Sequence, residues 1–239
     1  MKKAAFLFIS ISLVLNSCII EGWNHGISGN GQVEEETRDV SGFTGVHVST
    51  GIDVYLSEGD DFAVKVEADE NLMEVILTEV NGDMLVIKTD RVNIRSAKSK
   101  KVFVTLPELE ELKISSAGDC EGMTPFHCDD LRISISSAGD LSLDVEAERI
   151  NVDISSSGDA RISGRTRELD ASLSSAGDMH AFDLIADKVD VSVSSAGDAR
   201  VHATEEISMN ASSAGNIYYR GDAQVVHSRS SSAGDIIKK

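Results

Sequence analysis

Basic residues are scarce in this chain. Its 239 residues hold 22 Lys and Arg against 40 Asp and Glu, a formal charge of −18 at neutral pH. Binding a phosphate backbone needs a basic face, so nucleic acid is excluded as a partner. The same deficit argues against anionic lipid headgroups as partners for the body of the chain. Aromatics are also few, with seven Phe, three Tyr and one Trp, which leaves little ring surface for sugars or bases. Two prolines rule out a Pro-rich linker. What is present argues for a folded domain. Hydrophobic residues make up 41%, too many for a disordered acidic chain, and the length allows one or two domains with a real core.

The N-terminus reads as an export leader. Lys2 and Lys3 precede an apolar run from Ala4 to Leu15, too short to span a bilayer as a helix. The run ends in Leu15-Asn16-Ser17-Cys18, which resembles a bacterial lipoprotein signal cut before an acylated Cys18. The mature chain would keep 40 acids and 20 bases. It would be held at the cell envelope, on the outer membrane, by the lipid on Cys18. Residues 18–32 hold several Gly and Asn without a regular period and read as a flexible tether, with one domain over 33–239. Cys120 and Cys128 are the other cysteines. An oxidising envelope favours a disulfide between them over two free thiols. With His127 they supply three metal ligands, one short of a structural zinc site.

A repeat dominates the second half. Ile114-Ser-Ser-Ala-Gly-Asp119 recurs with its Gly at 118, 139, 158, 177, 197, 215 and 234, spacings of 21, 19, 19, 20, 18 and 19. Upstream of each signature, apolar and polar residues alternate: Leu131, Ile133 and Ile135; Ile150, Val152 and Ile154; Val189, Val191 and Val193. Period two means a strand with one buried face. A second short alternation follows, and the Ala-Gly-Asp between reads as a turn that uses the freedom of Gly to take positive φ. Two or three short strands in 19 residues cannot enclose a core alone, but stacked copies can. The predicted fold is all-β, a parallel β-solenoid with coils of about 19 residues, regular over 111–239 and less regular over 33–110. Helical solenoids are excluded because the 3.6-residue period is absent. The last coil turns polar at Ser228 and Ser230, as a blunted end. Between Asp69 and Thr78 lies the single stretch that suits a short helix.

The segments Gly51-Ile52-Asp53-Val54-Tyr55-Leu56-Ser57-Glu58-Gly59-Asp60, Val64 to Leu72 and Thr78 to Gly82, with the Ser-Ser-Ala-Gly-Asp series, resemble the bacterial head GIN domain family. Its members are called auto-transporter adhesins and are frequent in Bacteroidetes envelopes. The resemblance covers about Val40 to Ile237. It implies a right-handed parallel β-helix related in shape to pectin lyases but without their catalytic residues.

Candidate sites follow from the columns that stacking creates. Asp119, Asp140, Asp159, Asp178, Asp198 and Asp235, with Asn216, would line up one per coil. Neighbouring carboxylates at strand spacing repel by roughly 1 kcal/mol even in water. Either each accepts backbone N–H bonds in its turn, or Ca²⁺ sits between coils; Ca²⁺ wants six to eight oxygens, more than this column offers. The paired serines lack a base at a repeating position, so they read as small corner residues rather than nucleophiles. Tyr218 and Tyr219 are adjacent, so one faces out if the other faces in, and the outer one is a candidate ligand contact. No cofactor is expected. The reading is a non-enzymatic envelope lipoprotein, an adhesin or surface-binding rod whose partner is an extended polysaccharide or a surface protein. The alternatives are a polysaccharide-active enzyme on the same scaffold and a Ca²⁺-stabilised spacer.

Overall fold

A computed structural model describes residues 26–239 apart from position 156. Cys18 and the leader lie outside the described residues. Alternation decides the elements. Leu131, Ile133 and Ile135 point inward and are at most 1% exposed, while Arg132 between them is exposed. Stacked coils put equivalent residues side by side, so Ile114, Ile135, Ile154, Leu173, Val193, Ala211 and Ser230 form one column. Six of these seven are buried, and this column and its neighbours build one continuous core.

Every strand pairing within 111–238 is parallel. The chain is a β-solenoid of about seven turns. The strands are longer than the alternation predicts. Leu141–Ile154, Ala160–Ser174, Met179–Ser194 and Asp198–Ser212 each run through most of a coil as one bent strand. They bend rather than break because pairing continues around the corner, from Leu141 opposite Ala160 to Ile154 opposite Leu173.

The signature glycines work differently from the expectation. None of the seven has positive φ; that conformation falls instead on Ser175, Ser195, Ser213, Ala214, Ser232 and Ala233. Gly is needed because successive coils touch there. A Cβ on Gly139 would lie 2.5 Å from the Gly118 carbonyl oxygen, and one on Gly158 would lie 2.4 Å from that of Gly139.

The N-terminal part closes the core by reversing direction. Val33–Arg38 pairs antiparallel with Ala63–Asp69, which pairs antiparallel with Lys100–Leu106. Ile76–Asn81 returns antiparallel on Met84–Thr89. The expected short helix is a single 3-10 turn, Glu70–Leu72. The expected tether ends sooner than residue 32. Gly26–Ser28 pairs with Asn93–Ser96, and Gly31 N–H donates to the Asp69 carboxylate at 3.0 Å. Burial alone would raise the Asp69 carboxyl, but N–H groups of Gly31, Ser99 and Lys98 outweigh it and hold it below the usual range. At the other end, Gln224–Ser230 is exposed throughout: Ser228 and Ser230 stand where the coil before has Met209 and Ala211, while Val225 and Val226 are left exposed.

Candidate functional site

The aspartate column exists, and the carboxylates of Asp140, Asp159, Asp178 and Asp198 in it are in use. Asp140 Oδ1 accepts the N–H of Asp159 at 3.2 Å, Asp159 that of Asp178 at 3.2 Å, and Asp178 that of Asp198 at 2.8 Å. Each carboxylate therefore bonds the next coil's turn rather than its own. Asn216 continues the series, donating Nδ2 to Asp198 Oδ1 at 2.9 Å. Among the described residues no group of three or more His, Cys, Asp or Glu is arranged to hold a metal ion. Repulsion and acceptance can be separated experimentally. Asp159→Asn keeps an acceptor and removes a charge, so its stability should match or exceed the parent. Asp159→Ala leaves the Asp178 N–H without this partner and should lose about 0.5–1.5 kcal/mol. Urea denaturation reads both, and equal losses would refute the ladder's role as an acceptor.

The expected disulfide is corrected: Cys120 and Cys128 are both free. Cys120 faces the core between Val54 and Leu141, and burial, aided by Asp119, pushes its thiol up to about 12. Cys128 stands opposite Ala147 on another side of the coil, its thiol pushed up to about 11 by burial and by acids led by Glu108. The loop between them is pinned without a bridge. Glu58 accepts both the N–H of His127 and its Nδ1, at 3.2 and 2.8 Å, while Thr124 Oγ1 accepts the Glu58 N–H at 2.8 Å. His127 is held protonated to higher pH by that hydrogen bond and by the Glu58 charge. His127, Cys128, Glu146, Glu148, Arg165 and Asp187 line a shallow side groove of about 610 Å³. Beside it runs a column of alternating sign: Asp130, Arg149, Glu168, Lys188, Glu206.

The most distinctive surface lies on the sheet face that follows each Ser-Ser-Ala-Gly turn. One outward column there reads Lys65, Phe103, Tyr55, Glu121, Ser142, Arg161, His180, Arg200, Tyr218 and Ile237. Glu121 is its one acid. Tyr55 and Phe103 stack at 5.1 Å with their planes 18° apart. Lys65 lies 4.9 Å from the Phe103 ring, Lys101 5.6 Å from Tyr55, and Arg200 and Lys239 5.3 and 4.9 Å from Tyr218. Arg220 covers Phe182 at 4.1 Å. The four contacts to Tyr55, Phe103 and Tyr218 are on this face, whereas Arg220 stands opposite His202, in the column that runs through Ile185 to Arg165. Tyr218 is the outward member of its pair; Tyr219 packs against the core. The aspartate column runs alongside, and Arg200 joins the two stripes, 3.1 Å from Asp198 and 3.8 Å from Asp178. Tyr55, Phe103, Lys65 and Lys101 escape a search for local motifs, because register rather than proximity in sequence unites them.

Comparison with known proteins agrees with this architecture. A crystal structure of a "putative adhesin" from Bacteroides fragilis NCTC 9343 superposes with a TM-score of 0.82 at 22% identity, covering 90% of this chain and 100% of that one. A "putative lipid binding protein" from Parabacteroides distasonis ATCC 8503 gives 0.71 at 22% identity, over 89% of this chain and 99% of the other. A "putative adhesin" from the same organism gives 0.72 at 24% identity, over 90% and 100%. At these identities the likeness establishes the fold. No curated protein matches the sequence significantly. The family model described as "Putative auto-transporter adhesin, head GIN domain" matches residues 42–223, and the chain belongs to that family.

Proposed function

We propose that the chain is a non-enzymatic envelope lipoprotein, anchored through Cys18 at the outer membrane, whose rod binds an extended polysaccharide. The column from Tyr55 to Tyr218 carries this reading. It crosses six strand steps, roughly 29 Å at ~4.8 Å each, with the stacked Tyr55 and Phe103 rings at one end and the Tyr218 ring at the other. Flat rings stack on the C–H faces of sugars, and the bases and Ser142 between them offer donors to hydroxyls. The flanking aspartate column would repel a polyanion, so the preferred polymer is uncharged. The adhesin names of the family and its neighbours support a surface-binding role, without bearing on the ligand.

Binding to an array of neutral and acidic glycans tests this. Tyr218→Ala and the pair Tyr55→Ala with Phe103→Ala should each weaken capture of a neutral glycan by about tenfold or more. Binding that ignores both changes would overturn the assignment. Turnover of a glycan, abolished by Glu146→Gln or Asp187→Asn in the side groove, would instead establish an enzyme. The anchor is tested separately: labelled fatty acid should enter the parent protein and not Cys18→Ser.

A further inference from the structure

The charge of the whole chain conceals a local exception. Residues 88–101, Lys-Thr-Asp-Arg-Val-Asn-Ile-Arg-Ser-Ala-Lys-Ser-Lys-Lys, hold six of the 22 bases and a single acid, Asp90. Within this run, Asn93–Ser96 is fastened to the first described strand, Gly26–Ser28, by parallel pairing. The Gly29 N–H donates to Ser96 O at 2.8 Å. Arg95 lies across that strand, since a Cβ on Gly26 would meet its Nε at 2.3 Å. Arg91 and Lys100 line one recess together with Thr50 and Asn93. Arg91 and Lys98 are exposed, and Arg91, Lys98, Lys100 and Lys101 make no ion pair with any described acid.

The position of this run matters as much as its charge. Cys18 precedes Gly26 by eight residues, a stretch that reaches at most about 28 Å when fully extended. Acylated at Cys18, the protein would hold these bases close to the bilayer at high effective concentration. Each base near an anionic leaflet then contributes on the order of 1 kcal/mol, within a Debye length of about 8 Å at physiological salt.

We propose that the basic run 88–101 is a membrane-docking surface, which seats the N-terminal end of the rod on anionic phospholipid headgroups beside its own lipid anchor. The proposal builds on the lipoprotein reading but is testable without it. It reverses, for this one surface, what the overall charge implies about headgroups.

The test uses the chain from Ile19 onward, which lacks Cys18 and retains every described element. The Bacteroides fragilis neighbour has this fold in a chain that is covered in full by 90% of this one. Co-sedimentation is measured with phosphatidylcholine vesicles, with and without phosphatidylglycerol. Binding should require phosphatidylglycerol and fall steeply with added NaCl. The combined variant Arg91→Gln, Lys98→Gln, Lys100→Gln should partition about 100-fold more weakly, with an unchanged melting temperature. Equal binding of variant and parent, or no dependence on phosphatidylglycerol, would overturn the proposal. So would displacement by inorganic phosphate beyond that caused by NaCl of equal ionic strength, which would mark a discrete anion pocket. Failure of acylation at Cys18 would leave the vesicle result standing and remove only the anchor.

Discussion

Gly139→Ala and Gly158→Ala should each destabilise the rod by about 1–3 kcal/mol, although Ala is the smallest change available. The reason is contact between coils. At Gly158 the new methyl carbon would lie 2.4 Å from the Gly139 carbonyl oxygen, 2.6 Å from that of Ser137 and 2.9 Å from Ile135 Cγ2. Two of these three atoms are backbone, held in place by the stack, so neither can swing aside. Alanine does lower the entropy of the unfolded chain, an opposing gain of about 0.4–1 kcal/mol. That gain is smaller than the cost of prising two coils apart. Coils contact only their neighbours, so the damage should be local and the unfolding transition should broaden or split. Urea denaturation followed by circular dichroism would show this, and an unchanged midpoint would refute the contact argument.

Phe126→Ala should cost more, about 3–5 kcal/mol. Phe126 is fully buried and opens the strand Phe126–Ile135, opposite Val145, just after the loop that makes the longest repeat interval. That loop is tied down outside by Glu58 and Thr124, so the coil cannot collapse into the space an Ala would leave. For a chain of this size the loss corresponds to a fall in melting temperature of roughly 10 °C. A loss below about 1 kcal/mol would mean that the corner relaxes freely. Phe126→Leu, which keeps most of the volume, should lie between the two.

The fold is legible in the sequence where one periodicity governs a whole column. Ile114, Ile135 and Ile154 can be aligned by counting, because the signature marks each coil. The turn is less legible. Positive φ is the usual reason for Gly, and the rule fails here because the constraint comes from the coil below rather than from the residue's own dihedral. The Cys pair misleads for a related reason. Eight residues suffice to close a loop, but Cys120 occupies an inward strand position that pairing with Val54 and Leu141 imposes. The ring cluster is hidden most completely. Tyr55 and Phe103 are 48 positions apart and meet only because an irregular stretch returns to the next strand. That one of Tyr218 and Tyr219 faces outward could be foreseen, whereas which one it is, and its neighbours Arg200 and Lys239, become visible only once the register is known.

The column of alternating sign beside the groove bears on how such a rod can change length. Excising residues 149–167, a single coil, would set Asp130 against Glu168, two like charges side by side. Excising 149–187, two coils, would set Asp130 against Lys188 and preserve the pattern. Growth or shrinkage of this molecule is therefore easiest in doublets, and paralogues of different size should differ by even numbers of windings through this region.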